Sequence, residues 1–299
     1  MKSLRGVYYL CKRNAKVYFK NPMTFFVSLI TPLILLSLFL AFLKTTYENS
    51  LISAIGEFEV SGRVVDGFTG GWLFSSVLST SCTTVAFCSG TMVEDKINSA
   101  DLDLSVTPVK PIVVKLSYTL SNLICTLLVV FALLSIGLVY LAIVGFYLSF
   151  ADVLLAIVNI VLTSSVAVLL ANIVWLFTKS QGVVSGICTA LSALYGFVCG
   201  AYMPINGMGE GMKIFASLLP GTYSTILFRQ YFLSGPLEEI SKTVPQAAVD
   251  AIGQSFDVEI GFFGHNVPTY AMYLIVAISC LVLLAVLSIL TYLKSKKRR

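Results

Sequence analysis

Six long apolar segments constrain this chain more than any other feature of its sequence. A bilayer core about 30 Å thick needs roughly 20 apolar helical residues to cross it, and a helix satisfies its own backbone hydrogen bonds there. Mean hydropathy is +0.89 and only 12% of the 299 residues are charged, which is more apolar and less charged than soluble domains usually are. The predicted spans are about 23–43, 72–92, 116–140, 153–177, 183–202 and 270–293. The chain is therefore predicted to be an all-α membrane protein with six transmembrane helices in a single domain, 1–299.

The distribution of basic residues between the loops predicts the orientation of these spans. Cytoplasmic loops carry an excess of Lys and Arg. When the loops are grouped alternately, 15 of the 20 basic residues fall on the side that holds both termini, and most acidic residues fall on the other. We therefore expect a multi-pass protein of the plasma membrane with both termini in the cytoplasm. The net charge of +5 reflects this sorting, and no nucleic-acid partner is expected.

The residues before the first span mix apolar and basic side chains at near-helical spacing over 4–20. This pattern is typical of an amphipathic helix that lies in the cytoplasmic interface of the membrane. The alternative is a solvated topology signal. We predict an N-terminal interfacial helix that ends at Asn21, because the residue before a proline disfavours helix.

The sequence lacks the common motifs of catalytic sites. The chain has no Gly-x-x-x-x-Gly-Lys-Ser/Thr phosphate loop, no His-Glu-x-x-His and no Gly-x-Ser-x-Gly. The cores of the six predicted spans also lack Asp, Glu, Lys, Arg and His, which proton-coupled pumps and intramembrane hydrolases usually need. No Cys-x-x-Cys pair and only one histidine, His265, are present. We expect no catalytic residue, no cofactor and no metal in this chain.

Small and weakly polar side chains recur in the second, fourth and fifth spans. Such residues let helices approach closely and form hydrogen bonds across helices. Two interpretations stay open: a packing face between helices or subunits, and a translocation path for an amphipathic or lipidic substrate. The candidate residues are Ser76, Thr80, Thr84, Asn159, Ser185, Thr189 and Ser192.

The region of about 203–235 is apolar but interrupted by Pro and Gly. Pro204 and Pro220 interrupt helices, and each remaining piece is too short to cross the bilayer. We predict two short helices that dip back into the outer face of the membrane. Arg229 then either extends to the outer surface or pairs with an acidic residue of an outer loop.

A short charged segment, residues 94–103, lies between the second and third spans and is called the island below. It is followed by Thr107, Pro108 and Val109. The alternation of the spans places the island in the cytoplasm. Because its surroundings are built for lipid, its charges are expected either to face water or to contact a partner.

The order of these features resembles the permeases of the type-2 exporter family of ABC transporters. A charged loop after the second of six spans that ends in Thr107-Pro108-Val109 is similar to that family's cytoplasmic coupling loop. The Gly-x-x-x-Pro stretch that ends at Pro204, followed by Leu-Pro-x-Thr-Tyr and an arginine, resembles the family's re-entrant outer hairpin. The resemblance extends over the whole chain.

The resemblance implies roles for individual residues. Contact with a separate ATP-binding subunit is implied for Glu94, Asp95, Lys96, Asp101, Asp103, Thr107, Pro108 and Val109. A role in the outer gate is implied for Pro204, Pro220, Tyr223 and Arg229. The run from Ser99 to Asp103 departs from the Gly-Thr-Leu-Glu-like run that is common in the family.

The implied function is the transmembrane subunit of an ATP-driven ABC exporter that forms the translocation path as a dimer. Its implied partners are an ABC ATP-binding subunit, which holds ATP and Mg, a second permease copy or a homologous permease, and membrane lipid. Two alternatives stay open: a polytopic membrane enzyme, and a structural or sensory membrane subunit without transport activity. Activity without any ATPase would indicate the first, and failure to co-purify an ATP-binding protein would favour the second.

Overall fold

Helices make up nearly all of the computed structural model, which describes residues 2–20, 22–107, 109–262 and 265–297. The helices are α1 (Lys2–Lys20), α2 (Pro22–Leu38), α3 (Lys44–Ile55), α4 (Gly62–Cys88), α5 (Thr91–Ile97), α6 (Ala100–Ser105), α7 (Pro111–Val144), α8 (Phe150–Phe177), α9 (Gln181–Val198), α10 (Glu210–Ser217), α11 (Pro220–Ser241), α12 (Gln246–Ser255) and α13 (Thr269–Lys297). A π-helical segment, Phe39–Leu43, joins α2 to α3, and a 3-10 turn, Ile205–Gly207, precedes α10. Two-residue strands β1 (Gly261–Phe262) and β2 (His265–Asn266) pair antiparallel. The predicted all-α membrane fold is confirmed, with this small ladder as an addition.

Six helical stretches of the described residues are long and apolar enough to cross a membrane. They are Ser28–Ile55, Gly62–Ile97, Pro111–Val144, Phe150–Phe177, Gln181–Val198 and Thr269–Lys294. The second begins well before the predicted start at Trp72, because Gly70 and Gly71 continue the helix. These glycines are packing positions: a Cβ on Gly71 would lie only 2.7 Å from the carbonyl oxygen of Phe232.

α4 forms the centre of the molecule. Every residue from Gly67 to Phe87 is buried. The helix packs against α2, α3, α7, α8, α9 and α11, which surround it. The second predicted span is therefore an internal helix whose polar side chains contact other parts of the same chain.

The helix ends define two ends of the bundle. α7 and α8 are antiparallel and meet at the turn 145–149, where Ser149 and Asp152 form a capping box. The end of the bundle that contains this turn is called the hairpin end. The opposite end contains Lys96, Lys179 and Lys294 near the C-terminus of α8 and is called the basic end.

α1 is the helix predicted for residues 4–20, and it packs alongside the first part of α7. Gly6 lies against Val113, where a Cβ would sit 3.6 Å from a valine methyl. Tyr18 is buried, and its hydroxyl lies 2.6 Å from the hydroxyl of Ser28. Burial raises the pKa of Tyr18 to about 12, so this phenol stays neutral. Close contact with α7 and α2 thus attaches α1 to the bundle.

The region predicted as two short helices contains one short helix, α10, and one long helix, α11. α10 has 8 residues, but α11 has 22, so α11 is longer than the short helix expected, although it is not among the six described helices that are long and apolar enough to cross a membrane. Pro220 does not shorten α11, because it stands in the first turn, where a missing N–H has no helical partner to lose.

α11 runs antiparallel to α4. The hydroxyl of Thr225 lies 2.6 Å from that of Ser79, and Phe232 packs at Gly71. Gly235 lies against Tyr147 in the turn of the hairpin end. At about 1.5 Å per residue, Pro220 lies roughly 22 Å from Gly235 along the helix axis. The start of α11 therefore lies deep in the bundle.

Candidate coupling and gating sites

The island is helical. α5 carries Glu94, Asp95 and Lys96, and α6 carries Asp101 and Asp103. Ser99 separates the two helices with a φ of 60°, a left-handed conformation that short polar residues tolerate better than bulky ones. The chain therefore folds the charged segment into two short helices at the basic end, directly after α4.

Asp95 points into the protein. Its carboxylate accepts hydrogen bonds from both terminal nitrogens of Arg13, one of them at 2.9 Å, and from the hydroxyl of Tyr118. The side chain of Asp95 is 6% exposed and that of Arg13 is 39% exposed. The hydrogen bond to Asp95 raises the pKa of the Arg13 guanidinium. One carboxylate thus joins α1, α5 and α7.

Lys96 also binds within the chain. Its ammonium donates to the carbonyl oxygens of Trp175, Leu176 (3.2 Å) and Thr178 (3.0 Å). These groups lie at the C-terminus of α8, where the last carbonyls lack helical partners and the helix dipole favours a cation. Lys294 of α13 donates to the carbonyl oxygen of Leu176 as well. The island is therefore attached to α8 at the point where α13 also meets it.

The other side of the island faces away from the bundle. Ile97, Leu102 and Val106 are 47%, 55% and 85% exposed, and Asp103 is exposed beside them. These four residues are called the island surface. Exposed apolar side chains grouped around a charge are typical of protein-binding surfaces.

A second group of charged side chains lies towards the hairpin end, sealed from solvent. Arg229 of α11 pairs with Asp257 at 2.9 Å, and their side chains are 0% and 2% exposed. Arg229 also donates to the carbonyl oxygen of Gly200 at 2.5 Å, and its guanidinium lies 4.6 Å from the ring centre of Trp72. Such a desolvated cation–aromatic contact contributes to holding the arginine in place.

Asp257 receives further hydrogen bonds from the backbone. The amide of Ile205 donates to one carboxylate oxygen, and the amide of Asn206 donates to the other at 3.0 Å. Burial raises the pKa of the Asp257 carboxyl, while Arg229 and the two amides act in the opposite direction. Gly200 has a φ of 75°, and a Cβ there would collide with Ile205. The loop after α9 needs glycine at this point to bring its carbonyl to Arg229.

Aromatic residues extend this group to α3 and α4. Trp72 donates its ring N–H to the carbonyl oxygen of Phe256 at 3.1 Å. The ring of Tyr47 lies 4.1 Å from that of Trp72, and its hydroxyl donates to the carbonyl oxygen of Tyr202 at 3.0 Å. We call Arg229, Asp257 and Trp72, with the half-buried Tyr47 packed against them, the sealed cluster. It joins α3, α4 and α11 to the loop before α10 and the loop after α12.

Comparison with protein families decides the class. The model of the ABC-2 family transporter protein matches residues 44–293, which include the island and the sealed cluster. The chain belongs to the ABC-2 transporter family. A search of curated proteins found no match. This ABC-2 protein is accordingly a multi-pass membrane component of a transporter.

The residues expected in the gate of this ABC-2 protein lie around α10 and in α11. Pro204 is half-buried before the 3-10 turn, and Pro220 begins α11. Tyr223 is buried, and its hydroxyl donates to the carbonyl oxygen of Ser217 at 2.6 Å. Of the two alternatives for Arg229, pairing with an acidic residue of a loop is the one observed, and the side chain does not extend to the surface.

The expected coupling residues of the ABC-2 protein divide between two environments. Asp95 and Lys96 bind inside the chain, and Glu94 and Asp101 are half-buried. Asp103 and Thr107 are exposed, and the Thr107 hydroxyl donates to the carbonyl oxygen of Leu104 at 2.6 Å. Val109 is half-buried, and Pro108 lies outside the described residues.

The small polar residues also divide into two groups. Ser76, Thr80, Thr84 and Asn159 are buried inside the chain. Ser76 and Thr80 donate to carbonyls one turn back in α4, and Asn159 donates to the carbonyl oxygen of Ser224 at 2.9 Å. These contacts favour helix packing for this group.

The remaining small polar residues lie on α9. Ser185 and Thr189 are exposed, and the hydroxyl of Thr189 donates to the carbonyl oxygen of Ser185 at 2.9 Å. The side chain of Ser192 is outside the described ones. The exposed pair keeps both interpretations, a subunit interface and a translocation path.

Several residues of these sites carry no distinguishing signal in the sequence. In the sequence, Arg13 is one of several basic residues of the N-terminus and Asp257 is one of several outer acids, while Tyr118 and Trp72 lie within predicted spans. Each has its partner on a distant part of the chain. The available signal was limited to an acid and an arginine at the edges of apolar segments, where a charge usually needs a partner.

Proposed function

We propose that this chain is the transmembrane subunit of an ATP-driven exporter in the plasma membrane, with both termini in the cytoplasm. Membership of the ABC-2 family supports the transport role. The excess of Lys and Arg at the basic end supports the orientation, because cytoplasmic ends carry such an excess. The island surface then faces the cytoplasm.

The observation that carries this proposal is the way the island is attached. Its inward side is bound to α1 and α7 through Asp95 and to α8 through Lys96. Its outward side exposes the island surface. A partner that binds there and moves transmits its displacement to three helices at once, because buried polar contacts resist separation. Since the sequence has no phosphate loop, ATP and Mg²⁺ belong to that partner.

A translocation path between two copies, or between this chain and a homologous permease, fits the burial pattern. α4 is enclosed on all sides within one chain. Large apolar side chains are instead exposed on α2 and α9, among them Ile34 (54%), Leu194 (59%) and Phe197 (52%). Ser185 and Thr189, one helical turn apart, add a weakly polar patch to the exposed surface of α9. A second protomer against these helices encloses a path that one protomer lacks.

The α10–α11 pair serves as the outer gate in this proposal. The two helices meet at Leu218 and Leu219, about 22 Å along α11 from the hairpin end. Leu218 is 66% exposed and Phe215 is 52% exposed. A re-entrant pair with an apolar tip, anchored by the sealed cluster, is suited to close the outer mouth of a path between two copies.

The test is co-purification followed by reconstitution. The full chain is isolated from its native membranes in mild detergent, and an ATP-binding protein is expected to accompany it. Leu102→Arg in the island surface is expected to abolish that association, while Phe58→Arg, an exposed apolar residue between α3 and α4, leaves it intact. Reconstituted vesicles then show ATP-dependent export only for the associated form. Absence of an ATP-binding protein from the wild-type preparation, or equal association of both variants, would overturn the proposal.

A further inference from the structure

Two cysteine sulfurs from different spans lie in contact. The Sγ atoms of Cys88, at the end of α4, and Cys188, in α9, are 2.8 Å apart. Both residues are partly exposed and no disulfide joins them. We propose that Cys88 and Cys188 form an oxidative modification site, a dithiol that a peroxide-class oxidant converts into a disulfide between α4 and α9.

The two sulfur atoms are already close to bonding distance. An S–S bond measures about 2.05 Å, so a shift of less than one ångström closes the remaining distance. Next to the pair, a Cβ on Gly90 would lie 3.2 Å from the side chain of Val184. α4 therefore leads directly onto the first turn of α9, and no helix has to move far.

Cys188 lies on the packed face of α9. Val184 and Leu191, three or four residues away on either side, belong to the same hydrophobic cluster as Phe87 and Trp175. Ser185 and Thr189 lie on the exposed face. The thiol of Cys188 is thus directed towards α4, and a second subunit against the exposed face leaves the pair inside its own chain.

The remaining cysteines serve as internal references. Cys82, Cys125 and Cys199 are buried, and Cys11 and Cys280 are half-buried. Among the described residues, Cys88 and Cys188 are the cysteines whose sulfurs are in contact with each other. Oxidation is therefore expected to produce one defined pairing.

The reaction with hydrogen peroxide proceeds in two balanced steps. One thiolate attacks a peroxide oxygen, the O–O bond breaks, and a sulfenic acid and water form once a proton is taken up. The second thiol then attacks the sulfenic sulfur, the S–O bond breaks, and a second water leaves as the disulfide forms. Two thiols lose two electrons and the peroxide gains them. A reducing dithiol reverses the modification by thiol–disulfide exchange.

The crosslink restrains a helix that is otherwise lightly held. α9 is largely exposed, and its main helical neighbour is α4. This consequence rests on the proposed function: if α9 moves against α4 during transport, the disulfide stops the cycle. The disulfide itself forms whether or not the chain transports anything.

The full chain in lipid nanodiscs is treated with hydrogen peroxide, blocked with N-ethylmaleimide and digested for mass spectrometry. The expected product is a crosslinked peptide pair containing Cys88 and Cys188, which dithiothreitol separates. Cys88→Ser and Cys188→Ser are each expected to lose it, and Cys125→Ser retains it. Absence of this peptide pair from the wild type, a different dominant pairing, or a crosslink between two copies on non-reducing gels would overturn the site.

A second measurement follows ATP-dependent export in vesicles that contain the associated ATPase. Peroxide is expected to abolish export by the wild type, dithiothreitol to restore it, and the Cys88→Ser, Cys188→Ser double variant to resist peroxide. Crosslinking with unchanged export would refute the restraint on α9 and leave the modification site intact. Lack of export in the untreated wild type would refute the proposed function instead.

Discussion

The two ends of the bundle each contain a buried aspartate paired with an arginine, and the two pairs differ in their access to water. Arg229 and Asp257 are both sealed, with an aromatic ring against the guanidinium and two backbone amides on the carboxylate. Arg13 and Asp95 share a buried carboxylate, but the arginine is 39% exposed. The first pair is enclosed on every side, whereas the second lies at a joint between helices that solvent reaches.

This difference in solvent access indicates different mechanical roles for the two ion pairs. A sealed ion pair resists any motion that would strand one charge in an apolar interior. A half-exposed pair loses less when it opens, because water takes over part of its solvation. The sealed cluster is suited to fix the α11 region, and the Arg13–Asp95 pair is suited to transmit movement between the island, α1 and α7.

The largest expected effect is on the sealed pair. Arg229→Ala leaves Asp257 buried without its cation, and such changes cost about 3–5 kcal/mol. We expect loss of most monodisperse protein and a marked fall in the thermal unfolding midpoint in detergent. Lys242→Ala, which removes an exposed ion pair with Glu239, is the matched control and should change little. Equal unfolding temperatures for the two variants would contradict a sealed anchor.

Removing both charges of the sealed pair is expected to be milder than removing one. Arg229→Met with Asp257→Asn leaves no unpaired charge, and replacing a buried pair is often nearly neutral. Recovery should be partial, because Asp257→Asn leaves a single acceptor oxygen for the backbone amides of Ile205 and Asn206, which each bind a separate carboxylate oxygen in the wild type. The measurement is a double-mutant cycle of thermal stability. A double variant less stable than Arg229→Ala would argue against charge burial as the cause.

The half-exposed pair should affect coupling more than stability. Arg13→Ala is expected to cost about 1–2 kcal/mol, since Asp95 retains Tyr118 and gains water. ATP-dependent export should nevertheless fall strongly, because α1 loses its link to the island. Lys12→Ala, an exposed neighbour, is the control. Full export activity in Arg13→Ala vesicles would remove the pair from the coupling route.

Salt should distinguish the two pairs. Raising ionic strength from 0.1 to 1 M shortens the screening length from about 10 to about 3 Å. The stability difference between wild type and Arg13→Ala is expected to shrink, while that between wild type and Arg229→Ala stays unchanged. Thermal unfolding of the wild type and the two variants at both salt concentrations gives these two stability differences at each ionic strength. A similar salt response of both differences would show that the two pairs have equal access to solvent.

The smallest effect on stability is expected on the island surface. Asp103→Lys alters an exposed charge and should leave the unfolding midpoint unchanged while weakening ATPase capture. Glu238→Lys makes the same reversal on an exposed acid of α11. Capture by the two variants, measured by pull-down from one lysate of wild-type ATPase, provides the comparison. Equal capture would place the docking surface elsewhere.

Hydropathy was sufficient to predict the six spans and the all-α fold, because lipid demands long apolar helices. It missed the early start of α4, because Gly70 and Gly71 look like helix breakers until Phe232 is seen against them. It also missed the length of α11, because the sequence shows a proline but not its place in the first turn.

The contacts of the candidate sites were less accessible to prediction. A charged island predicts exposure, yet Asp95 and Lys96 turn inward because Arg13, Tyr118 and the end of α8 supply partners from remote segments. For Arg229 the sequence left two alternatives, and only the position of Asp257 selects one. Pairing between distant segments depends on the packed fold, so it cannot be predicted from the local spacing of residues.

The burial of α4 bears on how proteins of this design can change their cargo. Its hydroxyl-rich sequence looks suited to line a path, but its residues from Gly67 to Phe87 are all enclosed by their own chain. Selection for a new substrate can therefore act on the outward sides of α2, α9 and α10 while α4 is held constant by packing. A polar transmembrane helix is in this case the packed frame, and the exposed apolar periphery is the part that can change without disturbing it.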